Sequence, residues 1–142
     1  MFRKLKIIEM KTVLFVDDDE AILRSLERGL MDEPYNKLFT KSCQEALEIL
    51  KQEEVHVIVT DMRMPEMSGL EFIKIVKKEY PHIIMIVLSG YGEEAALKTA
   101  VEQGEIFKLI PKPWKLKRNF EKLIRQAIDR YNLQNGHETV KR

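Results

Sequence analysis

One cysteine in 142 residues, Cys43, excludes an internal disulfide and a thiolate metal cluster, because both need partners. Long apolar runs are missing too. The longest, Ile83 to Leu88, falls far short of the roughly 20 residues that cross a bilayer, so no membrane span is expected. The basic start, Met1 to Ile8, is followed by neither an adequate hydrophobic stretch nor a small-residue cleavage site. A secretory signal is therefore not expected, and cytoplasmic residence is. Internal repeats and low-complexity tracts are absent. Net charge is only +1, but it is unevenly spread: residues 1–111 carry 15 Lys/Arg and 20 Asp/Glu, residues 112–142 carry 9 and 3. The basic end scatters its charges along one helical pattern, without zinc-ligand spacing or an RNA-type aromatic motif. That argues against direct nucleic-acid binding.

What is present is an alternation. Short runs rich in Val and Ile, Thr12–Val16, Lys37–Thr40, Val55–Thr60, Ile83–Leu88 and Ile106–Ile110, read as strands. The central ones show little polar alternation, as strands buried on both faces do. Between them lie helical stripes: Ile22, Leu23, Leu26 and Leu30; Ala46, Leu47, Ile49 and Leu50; Leu70, Ile73 and Val76; Leu97, Ala100 and Val101. Ser42-Cys43-Gln44-Glu45 reads as a capping box opening the second helix. A fifth helix is predicted from about Leu116 to Leu133. Five βα units with right-handed crossovers give an α/β fold, a small parallel sheet with helices on both faces. The domain is expected over 11–133, with peripheral 1–10 and a polar, disordered tail at 134–142.

Four polar groups end apolar strands on the same rim. They are the triplet Asp17-Asp18-Asp19, Asp61, Ser89 and Lys112. In an open α/β sheet, ligands bind in the crevice outside the carboxyl ends of the strands. Two carboxylates about 5 Å apart cost roughly 3 kcal/mol at an effective dielectric of 20. A cation between them, or a proton on one, relieves that cost. Few hard oxygen ligands with room for water suit Mg²⁺ better than Ca²⁺ or Zn²⁺. Asp19 is also placed to cap the first helix. Asp61 could serve as a ligand only or as a nucleophile accepting a phosphoryl group. Lys112 would supply a point charge and Ser89 a hydroxyl donor.

Val16-Asp17-Asp18-Asp19, the spaced Asp61-x-x-Met64-Pro65-x-x-x-Gly69, Ser89-Gly90 and Lys112-Pro113 together resemble the chemotaxis-type receiver domain of bacterial two-component response regulators. The resemblance covers roughly Lys11 to Tyr131. It implies a five-stranded, flavodoxin-like sheet of order 2-1-3-4-5. Asp61 would be the phosphoacceptor, charged from a phosphohistidine on a sensor histidine kinase or phosphotransfer protein. Mg²⁺ would be held by Asp18, Asp61, the Arg63 backbone carbonyl and, through water, Asp17. Ser89 and Lys112 would bind phosphoryl oxygens, and the Lys112–Pro113 bond would be cis. Such a protein is a signalling element, catalysing only its own phosphorylation and dephosphorylation. Its output surface, helix four with strand five and helix five, would meet an effector, an output domain or a second copy. The stretch from Ile106 to Trp114 also resembles receivers attached to HD-GYP cyclic-di-GMP phosphodiesterases or to kinases.

Two departures stand out. Leu109 occupies the position of the family's usual aromatic switch; Phe107, two residues earlier and expected on the same strand face, is the candidate substitute. Arg63 and Tyr91, each two residues beyond a key position, are bulky enough to obstruct an attacking water. A phosphoryl group should therefore outlast that of an Arg63→Ala, Tyr91→Ala variant; equal decay rates would rule this out. A rival is a small haloacid-dehalogenase-type phosphatase with Asp17 as nucleophile. Asp17-x-Asp19, Ser89 and Lys112 fit its outline, but its usual Thr is Ala21 and no later acidic pair is expected to close a metal site. A module that keeps the fold without phosphorylation is the third class, and the chemically competent residues at all five positions argue against it.

Overall fold

A computed structural model of the chain describes residues 11–90, 92–111 and 118–135. Its strands are β1 (Thr12–Val16), β2 (Asn36–Thr40), β3 (Val57–Asp61), β4 (Ile84–Ser89) and β5 (Lys108–Pro111). All neighbours pair in parallel, in the order β2-β1-β3-β4-β5. The helices between and after them are α1 (Glu20–Gly29), α2 (Cys43–Gln52), α3 (Gly69–Glu79), α4 (Glu94–Glu102) and α5 (Arg118–Gln134). The expected flavodoxin-like α/β architecture is the observed one.

Every residue of β1, β3 and β4 is buried, which is why their sequences lack polar alternation. Two apolar clusters sandwich the sheet. On one side Cys43, Ala46 and Leu50 of α2, Phe72, Ile73 and Val76 of α3, and Leu97 and Ala100 of α4 pack on Leu14, Ile58, Met85 and Val87. On the other, Leu23 and Leu26 of α1 and Phe120, Ile124, Ala127 and Ile128 of α5 pack on Val13, Phe15, Val59 and Ile86. The bidentate Arg125–Glu33 pair, at 2.9 and 3.1 Å, ties α5 to the turn before β2.

Local chemistry departs from expectation at three places. The predicted capping box at Ser42 is half made: its hydroxyl accepts from Glu45 N–H at 3.0 Å, while the Glu45 carboxylate accepts from the Thr40 hydroxyl instead. The complete box lies at Ser68 and Glu71, opening α3. The strand β3 runs from Val57 rather than Val55, although the His56 N–H already donates to the Thr12 carbonyl and its carbonyl accepts the Ile84 N–H, each at 3.0 Å. The His56 Nδ1 accepts the Thr12 N–H at 2.9 Å, and the ring meets Tyr131 edge-on at 4.9 Å. Finally, Phe107 does not share a face with Leu109. Leu109 packs in the α2–α4 cluster, and Phe107 in the α1–α5 cluster with Arg130 over its ring at 4.9 Å. The strand starts only at Lys108, so the alternation that would align 107 with 109 does not hold.

Cys43 is buried at the start of α2, and burial, with Glu66 and Asp61 nearby, pushes its thiol up to about 12. At pH 8 that leaves about one thiolate in ten thousand. Thiol reagents should leave the native protein untouched and label it fully in denaturant; rapid native labelling would contradict this packing.

Candidate functional site

The parallel register decides which side chains meet. Val16 pairs with Thr60 and with Thr40, and Asp61 pairs with Leu88, so β1, β3 and β4 end nearly level. Asp17, the first residue past β1, is tied to β2 by its N–H donating to the Thr40 carbonyl at 3.1 Å. Its Oδ1 accepts from Asp19 N–H at 2.9 Å, and Asp19 in turn caps α1 by accepting from Ala21 N–H at 2.9 Å. The acidic triplet thus divides its work, with the third member serving the helix as expected.

Carboxylate oxygens of Asp17, Asp18 and Asp61 all lie within 4.8 Å of one another. Asp18 is exposed, whereas Asp17 and Asp61 are 2% and 4% exposed. At the strand-end rim, Asp61 is thus almost covered while Asp18 is open to solvent. The reason is that Asp61 is still a strand residue, paired with Leu88 of β4, rather than part of the loop beyond. Its Oδ1 accepts from the Met62 N–H at 2.9 Å, and Met62 N–H also reaches the Leu88 carbonyl at 3.2 Å. Ser89, ending β4, is fully buried, and its hydroxyl has no hydrogen-bond partner among the described residues. A buried hydroxyl without a partner is costly unless a ligand completes it. Lys112 and the Lys112–Pro113 bond, like Tyr91 and Trp114, lie outside the described residues.

The turn after β3 holds Asp61 through glycine. Gly69 N–H donates to the Met62 carbonyl at 2.8 Å, folding the start of α3 against the strand end. A Cβ on Gly69 would sit 2.7 Å from Met62 Cα and 3.0 Å from the Asp61 carbonyl oxygen, too close for any other residue. Arg63, two residues past Asp61, is bulky and largely exposed. Its Nε donates to Glu93 at 2.7 Å. Glu93 also accepts the Gly90 N–H. Sequence reading missed Glu93, because an acid at the start of a helix ordinarily serves only the helix dipole. The signal was the Gly90-x-Gly92-Glu93 turn beside Ser89.

Three oxygen donors within reach of one point, one of them exposed enough to leave room for water, fit a small divalent cation. The residues present thus suit the Mg²⁺ expected from the sequence.

A level rim of strand ends carrying an acidic cluster and a hydroxyl with no partner among the described residues marks a doubly wound α/β domain. Comparison with known families is more specific. Residues 13–124 match the response regulator receiver domain, and the chain belongs to that family. It is 37% identical over 123 residues to the hydrogenase transcriptional regulatory protein HoxA of Cupriavidus necator, covering 87% of this chain and 25% of that protein. It is 34% identical over 122 residues to the DNA-binding transcriptional regulator NtrC of Proteus hauseri, covering 86% and 25%. Among solved structures it resembles the beryllofluoride-activated NtrC4 receiver domain dimer, with TM-score 0.77 and 34% identity over 86% of this chain and 99% of that one. The chain spans about a quarter of these curated relatives. They are transcriptional regulators rather than chemotaxis-type proteins, so receiver domain is the level at which the resemblance holds. As a receiver it has a signalling role; nothing in these likenesses favours the phosphatase reading. No helix among the described residues is long and apolar enough to cross a membrane.

Proposed function

We propose that Asp61 accepts a phosphoryl group in a Mg²⁺-dependent reaction and that the signal leaves through α4, β5 and α5. The observation that carries this is the meeting of Asp17, Asp18 and Asp61 within 4.8 Å, at the rim where the buried Ser89 hydroxyl has no hydrogen-bond partner among the described residues. An Asp61 oxygen attacks the phosphorus of a phosphohistidine on a sensor histidine kinase or phosphotransfer protein. The P–N bond breaks, the imidazole leaves with its electron pair, and an aspartyl phosphate remains. Water later returns it to carboxylate and inorganic phosphate. Asp17, Asp18, Asp61 and the Arg63 carbonyl would hold the metal, which supplies charge neutralisation around the transferring group. Met62 N–H orients the acceptor, Ser89 donates its hydroxyl to a phosphoryl oxygen, and Lys112 adds a positive charge.

The added charge of about −1.5 to −2 creates new acceptors at the mouths of α4 and α5. Drawing in Ser89 and Lys112 pulls on the segments entering those helices. A complete swing of a two-state surface, from 1:99 to 99:1, needs roughly 5.5 kcal/mol of differential stabilisation. The partly exposed edge strand β5 and the exposed Val101 of α4 offer that surface to an effector, an output domain or a second copy. The activated dimer of the related NtrC4 receiver supports this reading. The working unit is residues 11–133, with 1–10 and 134–142 as flanks, acting in the cytoplasm.

Incubation with acetyl phosphate and Mg²⁺, followed by peptide mass spectrometry, tests it. An adduct on Asp61 is expected. An adduct on Asp17 would restore the phosphatase reading, and no adduct at all would end the phosphoacceptor one.

A further inference from the structure

Glu93 stands at the site without a part in the phosphoryl chemistry described above. One of its oxygens accepts the Gly90 N–H and the other accepts Arg63 Nε at 2.7 Å. Gly90 begins the loop leaving β4, and Arg63 belongs to the loop leaving β3, so a single carboxylate ties together the two strand-end loops that flank the acceptor. The turn that brings it there is closed by Glu93 N–H donating to the Gly90 carbonyl at 3.2 Å, with Gly92 at the positive φ of 86° that glycine adopts freely. Glu93 is not spent on its own helix: it precedes α4 but makes no side-chain cap bond there. With Asp18, Met62, Arg63, Pro65 and Ser68 it lines a cleft of about 480 Å³. Asp61 and Ser89, by contrast, are almost wholly covered.

We infer that Glu93 is an internal anion that latches the site shut, occupying with its two oxygens the donors Gly90 N–H and Arg63 guanidinium that an incoming phosphoryl group would meet. Carboxylate and phosphoryl oxygens are the same kind of acceptor, so only one of them can hold both donors at once. Glu93 also adds a negative charge at a rim already bearing Asp18, which repels an anionic phosphodonor. Opening therefore means that the Glu93 side chain swings away and Arg63, which is largely exposed, follows solvent or the new anion. The inference rests on Asp61 being the acceptor.

A site that is open only part of the time shows an affinity reduced by the open fraction. The Arg63 ion pair is largely exposed and weak by itself, so the closed state draws on both bonds together, that pair and the Gly90 N–H bond. Releasing the latch should thus tighten binding of a phosphoryl analogue by about tenfold. The test is calorimetric titration of the full chain with beryllofluoride in Mg²⁺, alongside the rate of labelling by acetyl phosphate. Glu93→Ala should bind about tenfold more tightly and label correspondingly faster, with Glu93→Gln in between because it keeps the Gly90 bond. In an Arg63→Ala background the gain should shrink, since one side of the latch is already gone. A merely structural Glu93 would instead give weaker binding and a lower melting temperature on substitution, which overturns the latch. An undiminished gain in the Arg63→Ala background overturns it as well, reducing the effect to charge alone. Binding by the wild type with no gain in Glu93→Ala sinks the latch and spares the acceptor; no binding by any variant removes both.

Discussion

Asp61→Asn should be more stable than the wild type and incapable of phosphorylation. An amide is no nucleophile, so labelling by acetyl phosphate or by a phosphorylated kinase should fall by roughly a hundredfold or more. Stability moves the other way because Asp61 lies within 4.8 Å of two other carboxylates. Unit charges that close repel by at most roughly 3 kcal/mol a pair at an effective dielectric of 20, before solvent and neighbouring groups offset it. Exposure of Asp18 screens part of it, so a net gain of about 1 kcal/mol, and a few degrees in melting temperature, is expected without metal. Asn is nearly isosteric and its Oδ1 can still accept the Met62 N–H, so the gain is not masked by lost packing. Adding Mg²⁺ should stabilise the wild type by mass action and the variant much less. Opposite signs for stability and activity are the mark of a site kept charged for a purpose. A destabilised Asp61→Asn would mean that the carboxylate is a structural partner.

The second large effect belongs to a residue with no side chain. Gly69→Ala should cost about 3 kcal/mol and roughly 10 °C in melting temperature. The new methyl would meet Met62 Cα at 2.7 Å, the Met62 carbonyl oxygen at 2.8 Å and the Asp61 carbonyl oxygen at 3.0 Å. These are backbone atoms, unable to rotate out of the way. Either α3 moves off the sheet, losing contacts of the fully buried Phe72 and Ile73, or the Asp61 turn shifts. Phosphorylation should therefore drop together with stability. Gly104→Ala is the control: its φ is 79°, so strain is expected, but nothing lies within 4 Å. That substitution should cost about 1 kcal/mol and leave labelling unchanged. Equal losses at the two positions would show that the close approach at Gly69, whose φ is an ordinary one, adds no penalty of its own.

The fold was legible because its causes are local. Val and Ile runs too short to be anything but strands alternate with stripes at helical spacing, and parallel sheets built from such units close in few ways. β1 begins and ends where its residues indicate, at Thr12 and Val16. Legibility failed where a side chain chooses between partners of similar chemistry. Glu45 could cap its helix from Ser42 or bond Thr40, and the arrival of β2 beside it decided for Thr40. Phe107 could follow the pleat of Leu109, but Arg130, 23 residues further along, offered its guanidinium on the other face.

Chain order alone determined that acids, a serine and a lysine follow apolar strands, and hence that one rim would gather groups suited to a charged ligand. Only the folded sheet decided how near those groups come and how accessible they are. Asp61 is covered and Asp18 exposed because strand register sets how far each segment projects beyond its neighbours. The Arg63–Glu93 contact joins residues 30 positions apart. Such long-range ion pairs leave no period or spacing in a sequence, because their geometry exists only after a crossover has set two loops side by side.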